Sequence, residues 1–447
     1  MKNKKIILVK AIVTNNNLDE ILRDKAIILE DGFITKIIAN SDIKNFPDYT
    51  LYNFENQILI PGFVQTHIHL CQTLFRGLAD DLELLDWLQL RIFPYENGHD
   101  AKSLRNSAQL GIHELQTSGT TTILDMGTLN NQEVIFDELI RSKMRAIAGK
   151  CMMDYNDLYP SFKKSRKEEM DYTVSLAEEF HEIKGKIKYG FAPRFVLSCS
   201  EELLIETNEL MKNFPGSIYH THSSENKSEV EEVRRRFGKE NIEYFNSIGV
   251  LDDHTVLAHC IHLNDSEVNT MKERNSRVSH CPSSNLKLGS GIANIPKFMK
   301  EGISVSLGAD GAPCNNNLSV FNEMRLSALI QKPLHGPTAM DAKTVFKLAT
   351  IEGAKALHLE NEIGSIEIGK KADIVILDLN NSNQCLIDDD ENIYSNIVYS
   401  ASRENVKAVF IQGDEVVRNG KSIIYDEDEI VSNGLSELKK LLKRVNS

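Results

Sequence analysis

The chain has no long hydrophobic run. None of its apolar stretches approaches the ~18 residues that a transmembrane helix requires. The N-terminal run Ile6–Val9 ends at Lys10, too early for the core of a signal peptide. The seven cysteines are scattered and lack any C-x-x-C spacing, a pattern typical of reduced thiols. We therefore expect a cytoplasmic protein with no membrane partner.

An excess of positive charge is also absent. The formal net charge is -13, which disfavours binding to a nucleic acid or to an anionic membrane. We interpret this acidity as an aid to solubility. A phosphate-binding loop is missing too, because Leu288–Gly291 lacks the glycine spacing of either nucleotide-binding fingerprint. We expect no nucleotide cofactor.

Short strand-like runs occupy both ends of the chain, which at 447 residues is too long for one small core. They cover residues 5–13, 25–40 and 51–59, with a hairpin signal at Asp31-Gly32, and then 372–377 and 406–411. We predict one composite β-sandwich domain from residues 1–59 plus 362–426. Residues 427–447 are predicted to form a C-terminal helix at a surface or an interface.

The middle of the chain, residues 60–361, alternates strand-like and helix-like segments. This alternation is the signature of βα units on a parallel sheet. The strand-like segments are 60–69, 119–125, 145–152, 187–192, 217–222, 255–259, 277–280 and 304–310. Strands that alternate with crossovers in this way favour an α/β fold, a (β/α)8 TIM barrel, over an open sheet.

Metal-binding side chains recur at the C-terminal ends of these strands. His67 and His69 are two residues apart and so leave their strand on the same face. His222 ends the fifth strand, and Asp310 ends the eighth. Three imidazoles and a carboxylate suit Zn²⁺, with Fe²⁺ as an alternative. We expect these four residues to bind one divalent metal ion at the catalytic rim of the barrel.

Other polar residues near these strand ends suit proton transfer. A metal-bound water would ionise near neutral pH, and Asp310 can accept its proton. Glu225 is placed to act as a proton shuttle, and His259 to direct the attacking hydroxide. Glu225 has an alternative role as a carboxylate at a helix N-terminus. We expect His220 to pack in the barrel interior.

Together these motifs resemble the aminohydrolase branch of the amidohydrolase superfamily. The resemblance extends from Ile58–Val64 to Gly364–Val375. It implies a distorted (β/α)8 barrel with a sandwich from both termini. It also implies hydrolytic removal of an exocyclic amine from an aromatic ring. Binuclear members use a carboxylated lysine on strand four, but here Lys188 lies at the wrong end of that strand and Arg194 occupies the catalytic end.

Two sets of candidate substrate-binding residues point to different purines. Glu96 resembles the ribose-binding glutamate of the 5'-methylthioadenosine/S-adenosylhomocysteine deaminases, and the Gly308–Asn317 and Glu323–Leu326 segments resemble theirs. Trp87 is expected either to pack over the substrate or to belong to the core. This set favours a 5'-modified adenosine such as 5'-deoxyadenosine.

The second set resembles guanine deaminases and consists of Gln72, Lys150, Arg194 and Phe195. Arg194 has an alternative role as the partner of a neighbouring carboxylate, and Gln72 as a helix cap. A guanine deaminase is therefore the alternative function, followed by a triazine hydrolase. A catalytically inactive scaffold is disfavoured because the catalytic set is complete. The sequence leaves the oligomeric state open, including a homo-oligomer.

Overall fold

A computed structural model describes residues 4–385 and 389–446. The predicted domains also include residues 1–3, 386–388 and 447, which lie outside the described residues, and the domain boundaries stay a prediction. The strands in chain order are β1 (Lys4–Val13), β2 (Ile21–Arg23), β3 (Lys25–Glu30), β4 (Phe33–Ala39), β5 (Thr50–Pro61), β6 (Phe63–His69), β7 (Thr120–Asp125), β8 (Arg145–Ala148), β9 (Cys151–Met152), β10 (Ile187–Pro193), β11 (Ile218–Ser223), β12 (Thr255–His259), β13 (Arg277–His280), β14 (Val305–Leu307), β15 (Asp310–Gly311), β16 (Ile374–Leu377), β17 (Val406–Ile411), β18 (Asp414–Arg418) and β19 (Lys421–Ser422).

Helices follow most of the barrel strands. The α-helices are α1 (Leu84–Trp87), α2 (Phe93–Asn97), α3 (Ala101–Thr117), α4 (Gln132–Ser142), α5 (Arg166–Phe180), α6 (Glu201–Met211), α7 (Lys227–Phe237), α8 (Asn241–Ser247), α9 (Asp265–Arg274), α10 (Pro282–Lys287), α11 (Ile295–Lys300), α12 (Ala312–Asn315), α13 (Val320–His335), α14 (Ala342–Leu348), α15 (Ile351–Ala356), α16 (Asp390–Ser395) and α17 (Glu427–Val445). Shorter 3-10 turns cover Asn40–Asn45, Leu70–Phe75, Val196–Ser198 and Arg403–Asn405, and π-helical turns cover Leu88–Ile92 and Asn396–Ser400. Among the described residues, no helix combines the length and the apolarity needed to cross a membrane.

The β-structure predicted from both termini is one nine-stranded sheet, here called the terminal sheet, in the order β19-β18-β17-β16-β5-β1-β3-β4, with β2 paired to β1. The Asp31-Gly32 hairpin is present, and both residues have positive φ angles, of 51° and 88°. This conformation gives the tight two-residue turn that suits the twist of the flanking strands. Side chains from both ends of the chain, including Ile7, Leu59 and Phe410, share one buried cluster.

The second sheet is the predicted parallel barrel. Its order is β14-β13-β12-β11-β10-β8-β7-β6-β15, with β9 paired to β10. The sheet ends on β14 and β15, which are separated only by Gly308 and Ala309. The eighth predicted strand therefore closes the barrel, because its first half pairs with β13 and its second half with β6. All the strand-like segments predicted for residues 60–361 are confirmed.

The C-terminal helix α17 lies against the segment that follows the first barrel strand. Its Leu441 is fully buried beside Leu74 and Phe75 of the 3-10 turn. Near its end, Arg444 Nε donates to the carbonyl oxygen of Gly98 at 2.7 Å. The helix therefore supports the 3-10 turn that begins directly after His69.

A buried ion pair joins the terminal sheet to the barrel. Arg145 at the start of β8 contacts Asp373, which precedes β16, through two hydrogen bonds of 2.8 and 3.0 Å. Both side chains are almost fully buried. Asp373 also accepts the backbone N–H of Gln412 at 2.7 Å. The pair thus links one barrel strand to β16 and to the turn between β17 and β18.

We expect Arg145→Ala to destabilise the protein by about 3–5 kcal/mol, because it leaves the Asp373 carboxylate buried without its charged partner. Chemical denaturation followed by circular dichroism measures the change. The control is Lys167→Ala, which removes an exposed ion pair with Asp171 on α5 and should leave the unfolding midpoint in place. Equal midpoints for the two variants would contradict the structural role of the buried pair.

Candidate active site

The four predicted metal ligands meet at one end of the barrel. β15 pairs with β6 in a register that sets Asp310 opposite Ile68, between the two histidines. Asp310 Oδ1 lies 3.3 Å from His67 Nε2 and 3.5 Å from His69 Nε2. His69 Nε2 lies 3.3 Å from His222 Nε2. These three distances link the ligand atoms of the four residues into one cluster.

These side chains fit a divalent metal ion. Ligand atoms about 2.1 Å from a tetrahedral ion lie about 3.4 Å from one another, close to the separations found here. His67 Nε2 is buried and has no hydrogen-bond partner in the protein. Burial lowers the pKa of His67, His69 and His222, which favours the neutral, ligating form of each imidazole. The cluster is thus a candidate site for a divalent metal.

Hydrogen bonds hold the ligands in place. His222 Nδ1 donates to the carbonyl oxygen of Arg194 at 2.7 Å, which leaves Nε2 facing the cluster. His67 Nδ1 contacts Nε2 of the buried His220 at 2.8 Å, so His220 packs in the barrel interior, as expected. Ser284 Oγ donates to Asp310 Oδ2 at 2.6 Å. Such outer contacts fix the orientation of metal ligands.

Glu225 and His259 lie beside this cluster. His259 Nε2 is 3.4 Å from Glu225 Oε2 and 3.9 Å from Asp310 Oδ2. His259 Nδ1 contacts Asn285 Oδ1 at 2.8 Å, which makes Nδ1 the protonated donor and leaves Nε2 facing the site. Burial, together with the charges of Asp310 and Glu229, raises the pKa of Glu225 well above its ordinary value. A carboxyl group of this kind can hold a proton at neutral pH.

The helix N-terminus beside Glu225 is capped by other residues. Asn226 is the N-cap of α7, and its side chain accepts the backbone N–H of Ser228 at 3.0 Å. Glu229 accepts the backbone N–H of Glu225 at 2.7 Å and that of Ser224 at 3.3 Å. Glu229 therefore fixes the main chain that carries Glu225. Sequence reasoning missed this role, although an Asn followed three residues later by Glu is a recognisable capping box.

Most of the predicted substrate-binding residues line one cavity beside the cluster. The cavity is bounded by Gln72, Trp87, Arg194 and Phe195 together with His69, Leu84, Leu88, His222, Glu225, Glu229, His259, Leu288 and Asp310. It encloses about 20 Å³, which is room for about one water molecule. A purine therefore enters only if part of this wall moves.

Three residues from the two purine-specific sets form a single hydrogen-bonded group. Arg194 Nη1 donates to Glu96 Oε2 at 2.8 Å, and Gln72 Nε2 donates to Glu96 Oε1 at 2.7 Å. The exposed fraction is 4% for the Arg194 side chain and 1% for that of Glu96. Arg194 thus has the carboxylate partner considered as its alternative role, and that partner is Glu96. Gln72 binds the same carboxylate.

Lys150 is placed elsewhere. Its side chain is fully buried, pairs with Glu169 of α5 and donates to the carbonyl oxygen of Cys151 at 2.9 Å. It does not belong to the residues that line the cavity. The structure therefore brings Lys150 to the outer side of the barrel strands and not to the site. The local sequence Gly149-Lys150 does not indicate that Lys150 pairs with Glu169 of α5.

Comparisons with known proteins agree with this arrangement. The 5-methylthioadenosine/S-adenosylhomocysteine deaminase of Thermodesulfovibrio yellowstonii is 37% identical over 425 residues, which are 93% of this chain and 94% of the relative. The 5'-deoxyadenosine deaminase of Methanocaldococcus jannaschii is 37% identical over 421 residues, 93% of this chain and 95% of the relative.

One solved structure is similar to this chain over nearly its whole length. The adenosine deaminase of Xanthomonas campestris, solved with bound zinc, superposes with a TM-score of 0.89 at 27% identity and covers 99% of this chain and 98% of its own. The model of the Amidohydrolase family matches residues 58–416. Sequence, fold and the His/Asp cluster agree, and the chain belongs to the amidohydrolase family.

Proposed function

We propose that this protein hydrolytically deaminates a 5'-modified adenosine, giving the corresponding inosine and ammonia. The substrate is of the 5'-deoxyadenosine, 5'-methylthioadenosine or S-adenosylhomocysteine type, as in the names of its relatives. The observation that carries the proposal is the contact of Glu225 with His259 beside the His/Asp cluster. A proton donor next to a metal-ligand set is what hydrolytic removal of a ring amine needs. We propose that the reaction serves cytoplasmic purine salvage.

One metal ion, zinc before iron, is proposed for the site, held by His67, His69, His222 and Asp310. When bound, the ion lowers the pKa of a coordinated water and so supplies a nucleophile at neutral pH. A single ion is proposed because Lys188 lies at the start of β10 and contacts Glu182 at 3.7 Å. Lys188 is therefore too far from the catalytic end to bridge two ions.

The protein's own groups move the protons. We assign to Glu225 the donation of a proton to the ring nitrogen next to the carbon that bears the amine. Asp310 accepts a proton at Oδ2, the oxygen that already receives the Ser284 hydroxyl. His259 Nε2 faces both carboxylates and orients the attacking oxygen. Asp310 passes the proton that it accepted from the attacking water to the leaving amine, and the hydroxyl proton of the adduct returns to Glu225 as the ring carbonyl forms.

The polar group around Glu96 is proposed to bind the ribose. Glu96 is not among the residues that line the cavity, but its partners Gln72 and Arg194 are. Each carboxylate oxygen has two lone pairs, so in this proposal Glu96 accepts ribose hydroxyls once the wall has moved, while it keeps both partners. The side chains of Phe195 and Trp87 form apolar parts of the cavity wall. Guanine is the second candidate, because Gln72 and Arg194 reach the cavity and offer amide and guanidinium groups to a bare purine.

The small volume of the cavity implies that its cover moves during turnover. Leu84, Trp87 and Leu88 come from one segment, α1 and the π-helical turn after it. Two contacts fasten this segment across the mouth of the site: Asp80 with Lys287 of α10, and Glu83 with Ser228 of α7. Opening the cover breaks these exposed polar contacts, which are weak. It also exposes the buried side chains of Leu84, Trp87 and Leu88, and this is the larger cost.

We expect Glu225→Gln to lower kcat for 5'-deoxyadenosine by about 10²- to 10⁴-fold, because the amide cannot transfer the proton. The bound metal should be retained, since Glu225 is not among the four ligands. Ammonia release and elemental analysis measure the two effects. The matched control is Glu231→Gln, the same change at an exposed position of α7, which should leave both unchanged. Full activity of Glu225→Gln would remove Glu225 from the proton path.

The substrate assignment is tested with zinc-loaded protein on a panel of purines. Loss of ultraviolet absorbance and ammonia release are followed with 5'-deoxyadenosine, 5'-methylthioadenosine, S-adenosylhomocysteine and guanine. We expect kcat/KM to be highest for one of the adenosines, because Glu96 accepts the ribose hydroxyls that guanine lacks. Turnover of guanine alone would overturn the proposal.

A further inference from the structure

Two residues that line the cavity each carry a buried polar atom with no hydrogen-bond partner in the protein. The atoms are the indole nitrogen of Trp87, a donor, and Oε1 of Gln72, an acceptor. Trp87 is only 4% exposed, and Gln72 is fully buried. Buried donors and acceptors are nearly always paired in folded proteins. An unpaired donor and an unpaired acceptor in residues that line a cavity therefore indicate a ligand that offers one acceptor and one donor.

The orientation of Gln72 is fixed by its neighbours. Its Nε2 donates to Glu96 Oε1 at 2.7 Å, so Oε1 is the end of the amide that remains free. Gly311 makes room for this oxygen, since a Cβ atom at that position would lie 2.0 Å from Gln72 Oε1. The free oxygen thus lies against Gly311 of β15, in a residue that lines the cavity and is bonded to the Glu96 carboxylate.

Purine chemistry restricts what Trp87 can bind. In the deamination, ring nitrogen N1 receives the proton of Glu225, and the exocyclic amine departs. The adenine ring then has two acceptors left, N3 and N7. We propose that Trp87 is a specificity residue whose indole N–H donates to N3 or N7 of the purine, while Gln72 Oε1 accepts a ribose hydroxyl. This inference rests on the proposed function and deepens it.

The inference separates two roles for the Trp87 ring. A residue that only packs over the base is replaced well by phenylalanine, which keeps an aromatic ring of similar shape. A residue that donates a hydrogen bond is replaced poorly by phenylalanine, because phenylalanine leaves the purine nitrogen buried and unpaired. Trp87→Phe therefore removes the proposed contact and retains most of the packing.

The experiment compares wild-type protein with Trp87→Phe on 5'-deoxyadenosine and on its 3-deaza and 7-deaza analogues. Each analogue replaces one ring nitrogen with C–H and also alters the reactivity of the ring. The quantity compared is therefore the ratio of wild-type to variant kcat/KM for each substrate. We expect a ratio of about 10 to 100 for 5'-deoxyadenosine and for one analogue, and a ratio near 1 for the analogue that lacks the bonded nitrogen.

A second readout needs no variant. Trp87 is the only tryptophan of the chain, so intrinsic fluorescence reports on this side chain alone. When the product 5'-deoxyinosine binds to the wild-type protein, the emission should shift to longer wavelength as the indole N–H gains an acceptor. The matching deaza product should bind without that shift.

The outcomes show whether the inference about Trp87 fails alone or together with the proposed function. Equal slowing of Trp87→Phe on all three substrates would show that the ring acts by packing and would overturn the inference alone. An identical fluorescence shift with both deaza products would do the same. Wild-type protein that leaves 5'-deoxyadenosine intact would overturn the proposed function and the inference with it.

Discussion

The closure of the barrel through its eighth strand is the constraint on which the site depends. The pairing of Asp310 with Ile68 sets a carboxylate between two histidines that the first strand already presents on one face. His222 and His259 reach the same rim because parallel strands end together. Asp310 holds a positive φ of 63° there, and the Ser284 hydroxyl bonds its second oxygen. Closure of one sheet thus brings together site residues from four segments that are distant in the sequence.

Around this centre, burial determines what the side chains can do. The same exclusion of water that keeps the imidazoles neutral raises the pKa of Glu225, so one environment tunes the pKa of both the proposed ligands and the proposed proton donor. Burial also makes the charge of Glu96 costly unless it is paired, and Arg194 supplies that pair. The carbonyl oxygen of Arg194 holds His222 as well. One residue therefore connects the metal-ligand cluster to the substrate side of the cavity.

The fold and the position of the cluster were readable from the sequence because each rests on a local pattern. Strand ends, the His-x-His spacing and the Asp31-Gly32 turn are set by neighbouring residues. The contacts of Glu96 with Arg194 and of Lys150 with Glu169 were not readable, because they join segments that only the finished barrel brings together. Lys150 shows the difference: its position after a strand resembles that of a substrate residue, yet its side chain pairs with a helix behind the strand.

Stepwise return of metal to metal-free protein tests the metal-dependent account. The protein is stripped with a chelator and then titrated with zinc while ammonia release from 5'-deoxyadenosine is followed. The account predicts negligible activity without metal and a linear rise that reaches its plateau at about one equivalent, since His67, His69, His222 and Asp310 form one site. Full turnover by the stripped protein, or a plateau at two equivalents, would contradict it.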